Sequence, residues 1–408
     1  MSSSTSSSRL PFLKVLLVAA VGMGLALALV RAYAAALGAS GEAFLGRVLE
    51  ARAALPRILA EEDDLVMFFG SSMTQAGFSA RLLDRDLAER GVAVKSFNFG
   101  FGGLNPLFQD YIARRIREAF EAENRKLELA LIEFNPFQTT KTRYNRAVSA
   151  IDAYVGMLAS PEELWEILRE DPARGARMLN IHYLRDDVSA EMATFYFADE
   201  LGFLPPAPES DLPEDEENRQ RLREIGERMN EKFNEEYPDW DGAQWSWDWQ
   251  GAGTIPSERS EETLEIFRDY YATLTTEKHM TEARLWRVFS ADAVGLDFEE
   301  ELIAAFVRVV GEFQRFSQRV EVVLLPRNTD WIVYTPEVQA RLDGVLQRIH
   351  DETGVTIRNF QVTEAVTNDM FSDTTHLARY QGDVAFTRFL AEEYAEMLGA
   401  SAETAVKP

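Results

Sequence analysis

Strand-like runs at Leu65 to Phe69, Val92 to Phe97 and Leu127 to Phe134 alternate with helical patterns in the first third of the chain. Ser79 to Arg90 reads as a helix stopped by Gly91. Pro106 to Glu121 carries Leu107, Tyr111, Ile112, Ile116 and Phe120 at helical spacing. Strands that are apolar along their length, separated by helices, make a parallel sheet covered on both faces. In such sheets the reactive groups collect beyond the carboxyl ends of the strands. The residues that follow the strands therefore matter most.

After the first strand comes Phe69-Gly70-Ser71-Ser72-Met73-Thr74, and after the second Asn98-Phe99-Gly100-Phe101-Gly102-Gly103. The third ends in Glu133-Phe134-Asn135-Pro136. Near the C-terminus stands Asp373-Thr374-Thr375-His376-Leu377. A serine on a strand-to-helix turn needs a base to become a nucleophile, and the base needs an orienting acceptor. An Asp three residues before a His offers both from one loop. Of the four histidines, His182, His279, His350 and His376, only the last has a carboxylate at that spacing.

Four blocks in this order resemble the SGNH (GDSL-like) hydrolase superfamily, over residues 63–140 and 318–398. The resemblance implies a three-layer, flavodoxin-like parallel sheet and a catalytic set of Ser72, Asp373 and His376. The oxyanion hole it implies uses Ser72, Gly103 and Asn135, with Gly100 and Gly102 as neighbouring registers for the glycine. Two positions depart from the family pattern. Its Gly-Asp-Ser block reads Gly70-Ser71-Ser72, and its Gly-x-Asn-Asp block reads Glu133-Phe134-Asn135-Pro136.

The alternation lapses over residues 145–315, which read as a mainly helical insertion with an acidic, Pro-rich linker at Pro205 to Glu217. It resumes with Val320 to Leu325, a helix from Pro336 to Thr353, Val355 to Phe360, and a helix from Gln381 to Leu398. The organisation expected is therefore a leader and anchor at 1–37, a helical stalk at 38–62, a sheet domain at 63–144 and 316–400 around the insertion, and a tail at 401–408. Arg327 and Asn328, after the fourth strand, read as contacts for a substrate carboxylate or phosphate, or as charge facing water. Trp245, Trp247 and Trp249 would share one face of an extended segment. They suit sugar stacking, or pin the insertion onto the sheet domain.

Arg9 and Lys14 precede Val15 to Val30, sixteen residues without a charge. This is the pattern of a signal anchor with the bulk of the chain outside the cytoplasm, periplasmic or at the cell surface. A cleaved signal peptide with Ala32-Tyr33-Ala34 at the processing site is the alternative. The net charge of -25 speaks against nucleic acid as a partner. No cysteine is present, so disulfides, thiolate metal sites and cysteine nucleophiles are excluded. No metal-ligand spacing or phosphate loop appears, and no cofactor is expected.

The expected function is a serine esterase or O-acyltransferase acting on acyl esters of envelope or secreted glycans. By analogy with anchored members of the family, a multispanning membrane O-acyltransferase is an expected partner. A non-catalytic scaffold on the same fold and a lipid esterase are the alternatives.

Overall fold

A computed structural model describes residues 9–36, 42–102, 104–144, 152, 155, 156, 158–184, 216–236, 262, 265, 266, 269, 295–372, 374–378 and 381–405. Two compact units emerge: Arg47–Val148 with Ser210–Pro408, and Met1–Gly46 with Ser149–Glu209. The described elements begin with α1 (Arg9–Ala36), α2 (Glu42–Leu59), β1 (Asp64–Gly70), α3 (Ser72–Gly77), α4 (Ala80–Glu89), β2 (Val94–Gly100), α5 (Pro106–Ala122) and β3 (Leu127–Glu133). They continue with α6 (Pro161–Glu170), α7 (Pro172–Leu184), α8 (Glu216–Glu236), α9 (Glu300–Phe316), β4 (Ser317–Leu324), α10 (Pro336–Thr353), β5 (Thr356–Asn359) and α11 (Gly382–Ala405).

The larger unit holds a five-stranded sheet in the order β2-β1-β3-β4-β5, with every pairing parallel. From β1 the chain moves outward to β2, then returns across β1 to β3. That reversal leaves a switch point between the carboxyl ends of β1 and β3, where ligands settle in sheets of this order. Neighbouring residues of one strand define the two faces. Phe68 meets Phe78 edge-on at 4.7 Å, beside Ser79, whose N–H donates to Thr387 of α11. Phe69 meets Phe313 of α9 at 4.9 Å. So α4 packs with α11 on one face, and α5 packs with α9 on the other. Phe68, Phe69, Phe97, Phe99, Phe120, Phe306, Phe313 and Phe316 are wholly buried between these layers.

β2 is an edge strand, and an open edge exposes unpaired carbonyls. Here Arg47 of α2 caps the C-terminal end of that edge, donating from Nε to Gly100 O (2.7 Å) and from Nη2 to Asn98 O (2.8 Å). Ala51, Ala54, Leu55 and Ile58 of the same helix are buried.

The strands lie where the apolar runs predict, within a few residues. α9 was not separated from the insertion by the sequence reading, which placed it inside 145–315. Its Leu302, Ile303, Phe306, Val309, Val310 and Phe313 are buried, and it supplies the crossover that a parallel β3–β4 pair requires. The segment after β3 pairs with the segment that leads into α9. Lys141 N–H donates to Asp297 O, Glu299 N–H donates to Thr139 O, and Thr140 bridges Phe298. These contacts lead directly into α9, which lies within the larger unit.

In the smaller unit, α6 begins with a reciprocal cap between Ser160 and Glu163 and packs against α7. Ala159, Leu164 and Met178 are buried between them. In α1, Val15, Leu16, Leu17 and Val18 stand exposed. Among the described residues no helix is long and apolar enough to cross a membrane.

Candidate active site

Gly70 ends β1, Ser71 caps α3 from an extended backbone, and Ser72 is the first residue of that helix. The serine thus stands at the switch point, half-buried. Its Oγ is 2.8 Å from Nε2 of His376, a residue 304 positions later in the chain. An imidazole nitrogen at that distance can take the hydroxyl proton during attack on a carbonyl. The N–H of Ser72 belongs to the first turn of α3, whose donors have no partner within the helix.

His376 is held by its loop. Phe371 bridges Leu377, Ser372 N–H donates to His376 O (2.9 Å), and Ala378 N–H donates to Met370 O (2.8 Å). Thr375 Oγ1 lies 3.2 Å from His376 Nδ1. A second loop backs the first: Asn328 N–H donates to Thr374 O, and Asn328 Nδ2 donates to Asn368 O (3.2 Å). Asn328 is therefore a buried brace of the histidine loop. Arg327 donates from Nη1 to Ile332 O, and its guanidinium sits 4.3 Å from the Tyr334 ring centre. Burial lowers the pKa of Arg327 and pushes the Tyr334 phenol up to about 12. Arg327 Nε is buried without a hydrogen-bond partner among the described residues.

Asn98, from the second block, ties the end of β2 beneath α3. Its Nδ2 donates to Thr74 O (3.0 Å) and Phe78 O (2.6 Å), and its Oδ1 accepts from Gly100 N–H (2.9 Å). Gly102 lies alongside the serine, since a Cβ added there would stand 3.9 Å from Ser72 Cβ. Asn135 follows β3 and is buried. Its Oδ1 accepts from Phe137 and Gln138 N–H, and its Nδ2 donates to Ser71 Oγ (3.0 Å) and towards Met73 Sδ (3.3 Å). The structure thus brings Asn135 to the elbow, with its amide hydrogens directed at Ser71 and Met73. An oxyanion would have to draw one away from the weak sulfur acceptor. Gly103, Asp373, Trp245, Trp247 and Trp249 lie outside the described residues.

One site residue was missed. Glu133, counted in the sequence only as a lost glycine, is 2% exposed. Its Oε2 accepts from the N–H groups of Ser71 (2.8 Å) and Thr74 (3.0 Å) and from the Thr74 hydroxyl, while Oε1 accepts from Ser71 Oγ (2.6 Å). The signal available was a charge that closes the apolar run Leu129 to Ile132 of β3. Among the described residues no group of His, Asp and Glu could hold a metal ion.

No protein-family model matches the chain, and no curated protein does. Among solved structures it is similar to one from Agrobacterium tumefaciens strain C58, provisionally assigned as an arylesterase. The identity is 11%, over 82% of this chain and 99% of that one, with a TM-score of 0.29. A likeness that faint carries no argument.

Proposed function

We propose that the chain is a serine esterase or O-acyltransferase of SGNH type, anchored in a membrane with its catalytic domain outside the cytoplasm. The observation that carries this reading is the 2.8 Å approach of His376 Nε2 to Ser72 Oγ at the carboxyl end of β1. Ser72 Oγ attacks the ester carbonyl while His376 Nε2 takes its proton. The N–H groups of Ser72 and Gly103, with the Asn135 amide, receive the developing oxyanion. As the tetrahedral intermediate collapses, the same proton passes to the leaving alcohol and an acyl-Ser72 remains. Water or a sugar hydroxyl, deprotonated by His376, then bonds to the acyl carbon, the bond to Ser72 Oγ breaks, and the proton on His376 returns to that oxygen. Asp373, by its spacing from His376, is assigned to the imidazole Nδ1–H, where it fixes the tautomer and stabilises the cation.

The membrane anchor is proposed for α1. Its support is the order of Arg9 and Lys14 before an uncharged run, together with the exposed apolar side chains of Val15 to Val18. Acyl esters of envelope or secreted glycans are the proposed substrates, and Trp245, Trp247 and Trp249 the proposed sugar contacts. A multispanning O-acyltransferase in the same membrane is the proposed partner. The test is hydrolysis of p-nitrophenyl acetate by the full-length protein, with and without a polysaccharide acceptor. Turnover that vanishes in Ser72→Ala supports the reading. Turnover at the uncatalysed rate in the wild type, with no labelling by a serine-directed phosphonate, would overturn it.

A further inference from the structure

We propose that Glu133 is the positioning residue of the nucleophile, supplying from β3 the carboxylate that the residue before the serine does not supply here. The inference rests on the serine-hydrolase reading and deepens it. Glu133 ends its strand alongside the end of β1, and Gly70 leaves the room it needs. A Cβ on Gly70 would overlap Thr74 Oγ1 and Glu133 Oε2. The carboxylate takes four hydrogen bonds, two from Ser71 and two from Thr74. Those residues flank Ser72 and Met73, so one side chain grips both ends of the first turn of α3. Both the Oγ of Ser72 and its N–H are placed by that grip.

Counting protons gives Ser71 its part. Asn135 Nδ2 and Met73 N–H both donate to Ser71 Oγ, at 3.0 and 3.2 Å. Neither can accept, so the Ser71 proton goes to Glu133 Oε1 at 2.6 Å. With its proton committed and its lone pairs occupied, Ser71 relays position and does not react. The two departures from the Gly-Asp-Ser and Gly-x-Asn-Asp patterns are then one compensated change. The acid absent at 71 stands at 133, and its oxygens reach residue 71. A buried carboxylate is a costly way merely to stabilise a fold, because it must be matched donor for donor. Its presence here is accounted for by the geometry it imposes on the serine.

The experiment is ester turnover by the full-length protein, with kcat and KM measured separately and folding checked by thermal melting. Glu133→Gln keeps the shape but turns an amide NH2 towards groups that are themselves donors. A displacement of the serine on the order of 1 Å costs about 100-fold in rate. The expected result is therefore kcat lowered at least tenfold, roughly, with KM unchanged. The exchange Ser71→Asp with Glu133→Gly, which returns the acid to the elbow, is expected to recover much of that loss. Wild-type kcat in Glu133→Gln overturns the proposal, as does a double variant no faster than Glu133→Gln. Should Glu133→Gln not fold, Ser71→Ala and Thr74→Val each remove one hydroxyl from the carboxylate. Lowered kcat at constant KM supports the proposal, and wild-type kcat in both overturns it. An inert, unlabelled wild type defeats the hydrolase reading and this inference with it, whereas an active wild type with an indifferent position 133 defeats this inference alone.

Discussion

Replacing Ser72 by Ala deletes one oxygen at a half-buried position and leaves the four donors around Glu133 in place. The variant should melt within about 2 °C of the wild type, since surface-like changes alter stability by only about 0.5 kcal/mol. It should lose all phosphonate labelling, and mass spectrometry of the labelled wild type should find the adduct on Ser72. An adduct on Ser71 would contradict the proton count at the elbow. His376→Ala and Asp373→Asn should each reduce acyl-enzyme formation by a factor on the order of 10³ to 10⁴. The double variant should be little worse than either, because the pair acts as one unit. Single-turnover acylation across the four proteins checks this, and additive losses would separate Asp373 from the histidine. Ser72, Asn135 and His376 were legible because strand ends and short spacings mark them. Glu133 was not, because its meaning depends on the register of β3 beside β1, which no local pattern carries. The contacts of Arg327 and Asn328 with Ile332 O, Tyr334 and Asn368 were not legible, because they depend on how the loop after β4 folds back.

At the level of elements, β1, β2, β3 and β4 were readable from their composition. α9 falls within the stretch read as a mainly helical insertion; its place beside the sheet depends on packing against α5, which no local pattern carries. The seam between β2 and α3 makes a sharp prediction. A Cβ at Gly100 would run into the backbone N and Cα of Gln75. Gly100→Ala should therefore cost about 1–3 kcal/mol, read as a lowered urea midpoint, with acylation reduced because α3 carries Ser72. An unchanged midpoint would mean that α3 is not seated on β2 this closely. A second prediction concerns Asp84 of α4, which accepts from Ser96 N–H at 2.8 Å. Burial pushes its carboxyl from 3.8 up to about 7, outweighing the hydrogen bond from Ser96 and the nearby Lys95. The folded state then holds a proton that the unfolded state has released. Its contribution is complete below pH 3.8 and is lost as the pH rises through about 7. Asp84→Asn should remove that slope, melting close to the wild type near pH 4 and roughly 2 °C or more above it near pH 8. Parallel melting curves for the two proteins over that range would rule the explanation out.

For the whole molecule, the proposed anchor fixes a topology. A reporter active only outside the cytoplasm, fused after residue 408, should be active, and its cytoplasm-only counterpart silent. The opposite result would reverse the orientation assigned to Arg9 and Lys14. The pairing of the segment after β3 with the segment before α9 was not legible, since it rests on contacts of Thr139, Thr140 and Lys141 with Asp297, Phe298 and Glu299. The capping of β2 by Arg47 also has a consequence in time. Chains emerge from synthesis N-terminal end first, so α2 is complete some forty residues before β2, Glu42–Leu59 against Val94–Gly100. The cap exists before the strand end it meets. In a nascent chain that pauses before β3, the end of β2 can already carry its bonds to Arg47, and the open edge is that of β1. If a protease removed the segment up to Leu59, the carbonyls of Asn98 and Gly100 would lose these donors and be left to water or to the strand of another copy.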